Sequence, residues 1–466
     1  MLLLALAAGG PAAAEPVPGW PGWLAALGVR EVALTATRLR LELPAGRLEL
    51  VVGGRATAED GRLRLDLAGR EGALVLPAAG LALDLARVTL RSPPDRGGGE
   101  AVMRLEARRL RPSGGPAPAR APALNVDARL RGATIALVAR LFQDPEGTLL
   151  RAEGHHELAT GEGRLVLSGE PVRFAPEGLQ PAALVPQLEG VVEAVSGEVG
   201  ITGEIAWGPR PRERVQLLMR DLSFTTPASR IERLSGAVSF TGLFPPRTPE
   251  GQQLAVALVD VGLPLANGLA SLALRPDGRL HLDELAFELA GGRLSAGPLD
   301  VPLGAGAVEL VLTAQGLELG RLLELVELEG LTGTGTIDGR LPVEVVLGEG
   351  VAVRGGRLES RGPGVIRYAP ATPPAGLAAG GASVDLMLQA LRDFRYDSLS
   401  MTLDGRTEGE MLAGLKVAGR NPELYGGYPV EFNLNLEGQL ASIVRRGIDA
   451  YQIPESIARR LGEFFR

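Results

Sequence analysis

Leucine alternating with charge constrains this chain more than any other feature of it. Leu39, Leu41 and Leu43 alternate with Arg38, Arg40 and Glu42, and Leu63, Leu65 and Leu67 with Arg62, Arg64 and Asp66. Successive side chains of a β-strand point to opposite faces, so a period of two describes a strand with one apolar and one polar face. The pattern returns at Leu399, Met401 and Leu403 against Ser400, Thr402 and Asp404. It returns again at Val430, Phe432, Leu434 and Leu436 against Glu431, Asn433, Asn435 and Glu437. Leucine is a mediocre strand former, but the alternation outweighs propensity.

Turns are as frequent as the strands require. The tripeptide Gly-Arg-Leu starts at Gly46, Gly61, Gly163, Gly278, Gly292, Gly320, Gly339 and Gly356, mostly just ahead of an alternating run. Glycine supplies the positive φ of a tight turn, and Arg-Leu begins the next outward and inward pair. The spacing has no fixed period, which describes a meander and not a countable solenoid. The chain has 64 Gly and 35 Pro in 466 residues, and about 400 strand-region residues at about 13 per strand and turn give roughly 30 expected strands. Arg91–Gly99 and Pro112–Pro122 read as Pro/Gly-rich loops.

Three stretches have helical spacing: Gln180–Ser196, Leu319–Gly330 and Ile443–Arg466, the last interrupted at Pro454. They divide the strands into blocks instead of alternating with them, which disfavours a parallel α/β fold. The expected organisation is a β block over 15–179, a connecting helix over 180–196, a middle β block over 197–318, a short helix over 319–330, a C-terminal β block over 331–442 and a C-terminal helix over 443–466. The fold class is mainly β: a long, twisted antiparallel sheet curled into an open trough with an apolar interior, a few short helices and a C-terminal helix. Residues 1–14, with MLLLALAA followed by Ala12-Ala13-Ala14-Glu15, read as a signal peptide or as a truncated membrane anchor.

Charge and chemistry exclude more than they suggest. The formal net charge is −7, which disfavours nucleic acid as a partner. Cysteine is absent, removing disulfides, thiolate catalysis and cysteine-ligated metals. The one lysine, Lys416, lies between Leu415 and Val417 and makes no phosphate-binding loop. Gly330–Gly339 misses the dinucleotide fingerprint by one residue and follows a helix instead of opening one. Adjacent His155 and His156 in a strand point to opposite faces, and His281 stands apart. No nucleophile elbow occurs. No catalytic residue, cofactor or metal is assigned, and the chain is not read as an enzyme.

An apolar sheet face must be covered by a second sheet, by helices or by a ligand. Three Trp, five Tyr and ten Phe leave that face lined mainly by Leu, Val and Ala, which suits an unfilled groove of lipid width. Each buried methylene contributes about 0.8 kcal/mol, so an acyl chain in such a groove is firmly held. Leu39, Leu41, Leu63, Leu65, Leu67, Val430, Phe432, Leu434 and Leu436 are the expected groove-lining set. All five tyrosines, Tyr368, Tyr396, Tyr425, Tyr428 and Tyr451, fall in the last 99 residues and read as a packed C-terminal end.

Several blocks of sequence resemble a known family. They are Pro363–Tyr368, Leu391–Leu399 and above all Asn421-Pro422-Glu423-Leu424-Tyr425-Gly426-Gly427-Tyr428-Pro429-Val430 running into Phe432–Gly438. Gly154–Gly161, Phe174–Pro181 and Glu329–Gly335 through Arg340–Pro342 fit the same pattern. Across residues 150 to 440 the chain resembles the YdbH-like branch of the AsmA-like intermembrane phospholipid transport proteins. The resemblance implies a long β-trough along which phospholipids move between the inner and outer membranes of a Gram-negative envelope. It also implies a periplasmic location with an inner-membrane attachment, and a small outer-membrane lipoprotein docking at the C-terminal sheet edge. Asn421, Pro422, Tyr425, Gly427, Tyr428 and Pro429 are read as a structural motif, a tight turn that aims the last strand. A dicarboxylate-transport label also attached to this domain has no multi-helix membrane region to support it. The competing readings are an outer-membrane β-barrel and a periplasmic β scaffold with a dry core.

Overall fold

The computed structural model describes residues 31–438, apart from 44–45, 60–61, 78–79, 93–99, 115–120, 144–146, 186–187, 244, 304–305, 326–328, 347–349, 371–386 and 407–408. The expected signal or anchor segment 1–14 and the C-terminal helix 443–466 lie outside these residues. By its contacts the chain divides into two compact units, Met1–Glu189 with Glu198–Leu218 and Ser239–Phe244, and Gly190–Gly197 with Met219–Val238 and Pro245–Arg466.

The first unit contains β1 (Glu31–Leu43), β2 (Gly46–Glu59), β3 (Arg62–Leu76), β4 (Leu81–Arg91), β5 (Ala101–Pro112), β6 (Ala123–Arg131), β7 (Thr134–Gln143), β8 (Gly147–Glu157), β9 (Gly163–Ser168) and β10 (Val172–Phe174). The boundary between the units falls within β11 (Glu193–Trp207), β12 (Arg212–Thr226) and β13 (Ser229–Phe240), and the short β14 (Gly242–Leu243) and β15 (Pro246–Arg247) follow. The second unit continues with β16 (Gln252–Asp260), β17 (Pro264–Leu274), β18 (Arg279–Leu289), β19 (Gly292–Ala296), β20 (Leu299–Pro302), β21 (Ala307–Glu318), β22 (Leu331–Thr334), β23 (Thr336–Val346) and β24 (Gly350–Ser360). It ends with β25 (Gly364–Tyr368), β26 (Phe394–Arg406), β27 (Met411–Arg420) and β28 (Val430–Gly438).

Strand follows strand antiparallel from β1 through β9, each paired with the next. In the second unit short strands branch the meander: β18 pairs with both β19 and β20, and β24 and β25 both reach β26. Among the described residues twenty-six strands form one antiparallel sheet. No pairing among the described residues closes it into a barrel: β1 is paired with β2 and β28 with β27. That argues against the β-barrel reading, which requires the first strand to meet the last.

The helical expectations need correction. Gln180–Ser196 holds no α-helix among its described residues, only 3-10 structure such as the turn at Pro181–Ala183, and by Glu193 the chain is already in β11. Pro186 lacks the N–H a helix interior needs, and Gly190 takes a φ of 73°, so apolar spacing loses to backbone chemistry. The second stretch forms a helix over Leu319–Glu324 only, shorter than the expected 319–330, with Leu319 buried. It lies against β21 and β22 and belongs to the core of the second unit.

Candidate functional site

Strand register lets side chains be followed across each unit. In the first unit one file runs Leu34, Gly54, Leu67, Leu90, Met103, Ala128, Leu137, Gly154, Leu165 and Ile205, crossing ten strands without a charged or polar side chain. Two positions along, a parallel file runs Val52, Gly69, Val88, Leu105, Val126, Ala139, Ala152, Leu167 and Gly203. One position along, on the other face, the file reads Ala33, Arg55, Asp66, Arg91, Val102, Arg129, Ala136, His155, Arg164 and Ala206. The alternation within single strands therefore stays in phase over the whole unit, and its bulges preserve the separation of faces. Ion pairs such as Arg91–Asp66 and Arg164–Glu204 occupy the polar face.

The second unit repeats the arrangement. Phe287, Leu294, Ala314, Gly339, Leu358, Met401, Leu415 and Leu434 form an apolar file across eight strands. Its polar face carries Ser400, Thr402, Lys416 and Asn433, with Lys416 Nζ 2.9 Å from Glu431.

Each residue of the expected groove set can be located. Leu39 and Leu41 lie on β1 opposite Leu50 and Leu48 and are 36% and 40% exposed. Leu65 and Leu67 are half-buried on β3, opposite Ala56 and Gly54. Leu63 and Leu436 pair through their backbones with Ala58 and Ala413. Val430, Phe432 and Leu434 are half-buried opposite Gly419, Val417 and Leu415, and the Phe432 ring lies 5.0 Å from that of Phe394.

The motif around Asn421 forms a turn. Asn421 is buried, and its Nδ2 donates to the carbonyls of Gln389 and Ala390 at 3.2 and 3.1 Å. Its Oδ1 accepts from the Glu423 N–H at 2.8 Å. Pro422 and Pro429 are exposed and Gly427 half-buried. Tyr425–Gly427 makes a 3-10 turn with Gly426 and Gly427 at positive φ, which delivers the chain to β28. The tyrosines do not behave as one group, for Tyr368 and Tyr396 are buried while Tyr428 is 72% exposed.

Two histidine environments were not legible beforehand. His155 lies on the polar face, whereas His156 is buried on the other, where the Trp207 indole N–H donates to its Nδ1 at 3.1 Å. His281 sits between two carboxylates, with Nδ1 2.8 Å from Asp300 and Nε2 3.2 Å from Asp283. The hydrogen bond from His281, helped by the charges of Arg275 and Arg279, holds the Asp300 carboxyl below its ordinary range. Glu250 also reaches this cluster. The only local sign was His-x-Asp at 281–283, two residues that share a strand face.

A family model described as YdbH-like, intermembrane phospholipid transport protein YdbH, matches residues 3–462. The chain belongs to the YdbH-like family. No curated protein and no solved structure matches it. In this YdbH-like chain the three apolar files are continuous over eight to ten strands of the described residues. No helix among the described residues is long and apolar enough to cross a membrane.

Proposed function

We propose that this chain carries phospholipids between the inner and outer membranes of a Gram-negative envelope, with acyl chains lying on the apolar faces of the two units. One observation carries the reading: files of ten and eight strands with no charged or polar side chain, each backed on the other face of the sheet by the charged and polar residues. Acyl chains need no directional partner, so a surface of Leu, Val, Ala and Gly holds them without fixing their position, as movement along a conduit demands. Headgroups remain in water at the open side of the sheet. The family description supports the substrate class, since it names phospholipid as the cargo of the protein after which the family is called.

The finer reading concerns partners and place. The protein resides in the periplasm or cell envelope, and a small outer-membrane lipoprotein adds to the outer edge of β28. That strand lies against β27, and an unpaired edge offers backbone groups to an incoming strand.

The test is mass spectrometry of lipid extracted from protein purified from its own envelope, with photo-crosslinkers at Leu65 and Leu434. Phospholipid attached at both positions, and none at neighbouring Asp66 and Asn435, is the expected result. Lipid-free protein with unreactive crosslinkers at all four positions leaves a packed β scaffold and ends the transport reading.

A further inference from the structure

His281 and Asp283 lie two residues apart on β18 and share its polar face; Asp300 on β20 stands directly opposite His281 in register. Glu250, just ahead of β16, brings its carboxylate to the same place, so donor atoms of Glu250, His281 and Asp283 all lie within 4.8 Å of one another. Ser271 on β17 donates to the second oxygen of Asp283 at 3.1 Å and fixes the plane of that carboxylate. Three of these four acidic and imidazole groups are therefore held by strands, which define position better than loops.

The spacing of the donors is the informative point. Asp300 lies 2.8 Å from Nδ1 and is itself 3.0 Å from Arg275, while Nε2 lies 3.2 Å from an Asp283 oxygen. Zinc bonds of about 2.0–2.1 Å in tetrahedral geometry place neighbouring ligand atoms roughly 3.3 Å apart, close to the 3.2 Å found here. A carboxylate on the far nitrogen is the usual support of a metal-bound histidine.

We propose that Glu250, His281 and Asp283 bind one zinc-class divalent cation on the polar face of the second unit, with Asp300 orienting the imidazole. A nitrogen donor with two carboxylates selects zinc and its neighbours over magnesium and calcium, which prefer all-oxygen sites. The ion ties the segment ahead of β16 to β18. It lies on the face opposite the apolar file, so the proposal stands independently of lipid carriage.

The test uses the full chain without a histidine tag, treated with chelator and titrated with zinc chloride by calorimetry near neutral pH. One equivalent binds, magnesium chloride gives no heat, and His281→Ala and Asp283→Asn abolish the binding. Asp300→Asn weakens it by about tenfold, the effect of losing an outer carboxylate. Cobalt(II) in place of zinc gives the visible absorption of a four-coordinate site, and Glu250→Gln, at an exposed position outside the strands, changes that spectrum without risk to the fold. Zinc affinity unchanged in His281→Ala overturns the proposal, as does a wild-type chain that takes up no zinc.

Discussion

The hydroxyl of Tyr396 donates to the backbone carbonyl of Thr334 at 2.8 Å, joining β26 to β22 across 62 residues of sequence. Tyr396 is 1% exposed, and the space for its ring exists because Gly335 and Gly364 have no side chains: a Cβ on either would come within 2.3 Å of the hydroxyl oxygen. Tyr396→Phe leaves the carbonyl without this donor and is expected to cost about 1–3 kcal/mol, read as a lowered urea midpoint. Gly364→Ala is expected to cost more, because its Cβ also meets the Thr334 carbonyl oxygen.

The same tyrosine sets a pH dependence. Burial pushes its hydroxyl above the ordinary value of 10.0, so the folded state holds that proton more firmly than the unfolded chain. The contribution is complete below pH 10 and is lost as pH rises through the folded value. Thermal scans at increasing alkaline pH should show the wild type losing stability faster than Tyr396→Phe, which has no proton to lose. Parallel curves would contradict this assignment.

Asp338 gives the opposite sign. Its carboxylate accepts two hydrogen bonds from Arg361, both at 2.8 Å, and one from the Gly316 N–H at 2.7 Å. Arg361 first, then the Gly316 amide, hold the carboxyl below its ordinary 3.8. The stabilisation is present above that value and disappears as pH falls through the lower folded one. In acid titrations followed by circular dichroism, Asp338→Asn should therefore lose less stability than wild type over that range.

Asn421 is a lock on the C-terminal turn. Its amide group satisfies the carbonyls of Gln389 and Ala390, and its carbonyl accepts from Glu423. Asn421→Ala leaves buried acceptors unpaired and is expected to destabilise by about 1–3 kcal/mol. Asn421→Asp retains the acceptor and loses the donor, so it should be nearly as costly. A thermal midpoint equal to wild type in both variants would contradict the structural role.

How far the sequence could be read depends on how local each determinant is. The phase of alternation is carried by single strands, which is why Leu67 and Asp66 were separable by inspection and fall on opposite faces in the register. The Gly-Arg-Leu signal was less uniform. Copies at Gly46, Gly61, Gly163, Gly278 and Gly292 do introduce strands, but Gly320 lies in the short helix and Gly339 and Gly356 lie inside β23 and β24. Gly339 serves packing and not a turn, for a Cβ there would stand 2.1 Å from the Arg357 carbonyl oxygen. The Gln180–Ser196 helix failed because spacing cannot express the missing N–H group of Pro186. The cluster at Glu250, His281, Asp283 and Asp300 was hidden for a different reason: its members converge only after β16, β17, β18 and β20 are aligned.

The apolar file predicts its own most sensitive substitution. Leu434 stands opposite Leu415, which stands opposite Met401, near the β28 edge of the second unit. Leu434 is half-buried on a strand whose other side carries Asn433 and Asn435. An arginine there is long enough to bring its head toward water, so Leu434→Arg should retain a native circular dichroism spectrum. The charge nonetheless lies on that apolar file, and passing acyl chains would have to displace or desolvate it. Transport in a cell depending on this chain should fall to the level of a deletion, with lipid crosslinking retained at Leu65 and lost at Leu434's neighbours on the file. Asn435→Arg, one residue along on the polar face, should transport as wild type does. Full activity of a well-folded Leu434→Arg variant would show that lipid does not travel along this file.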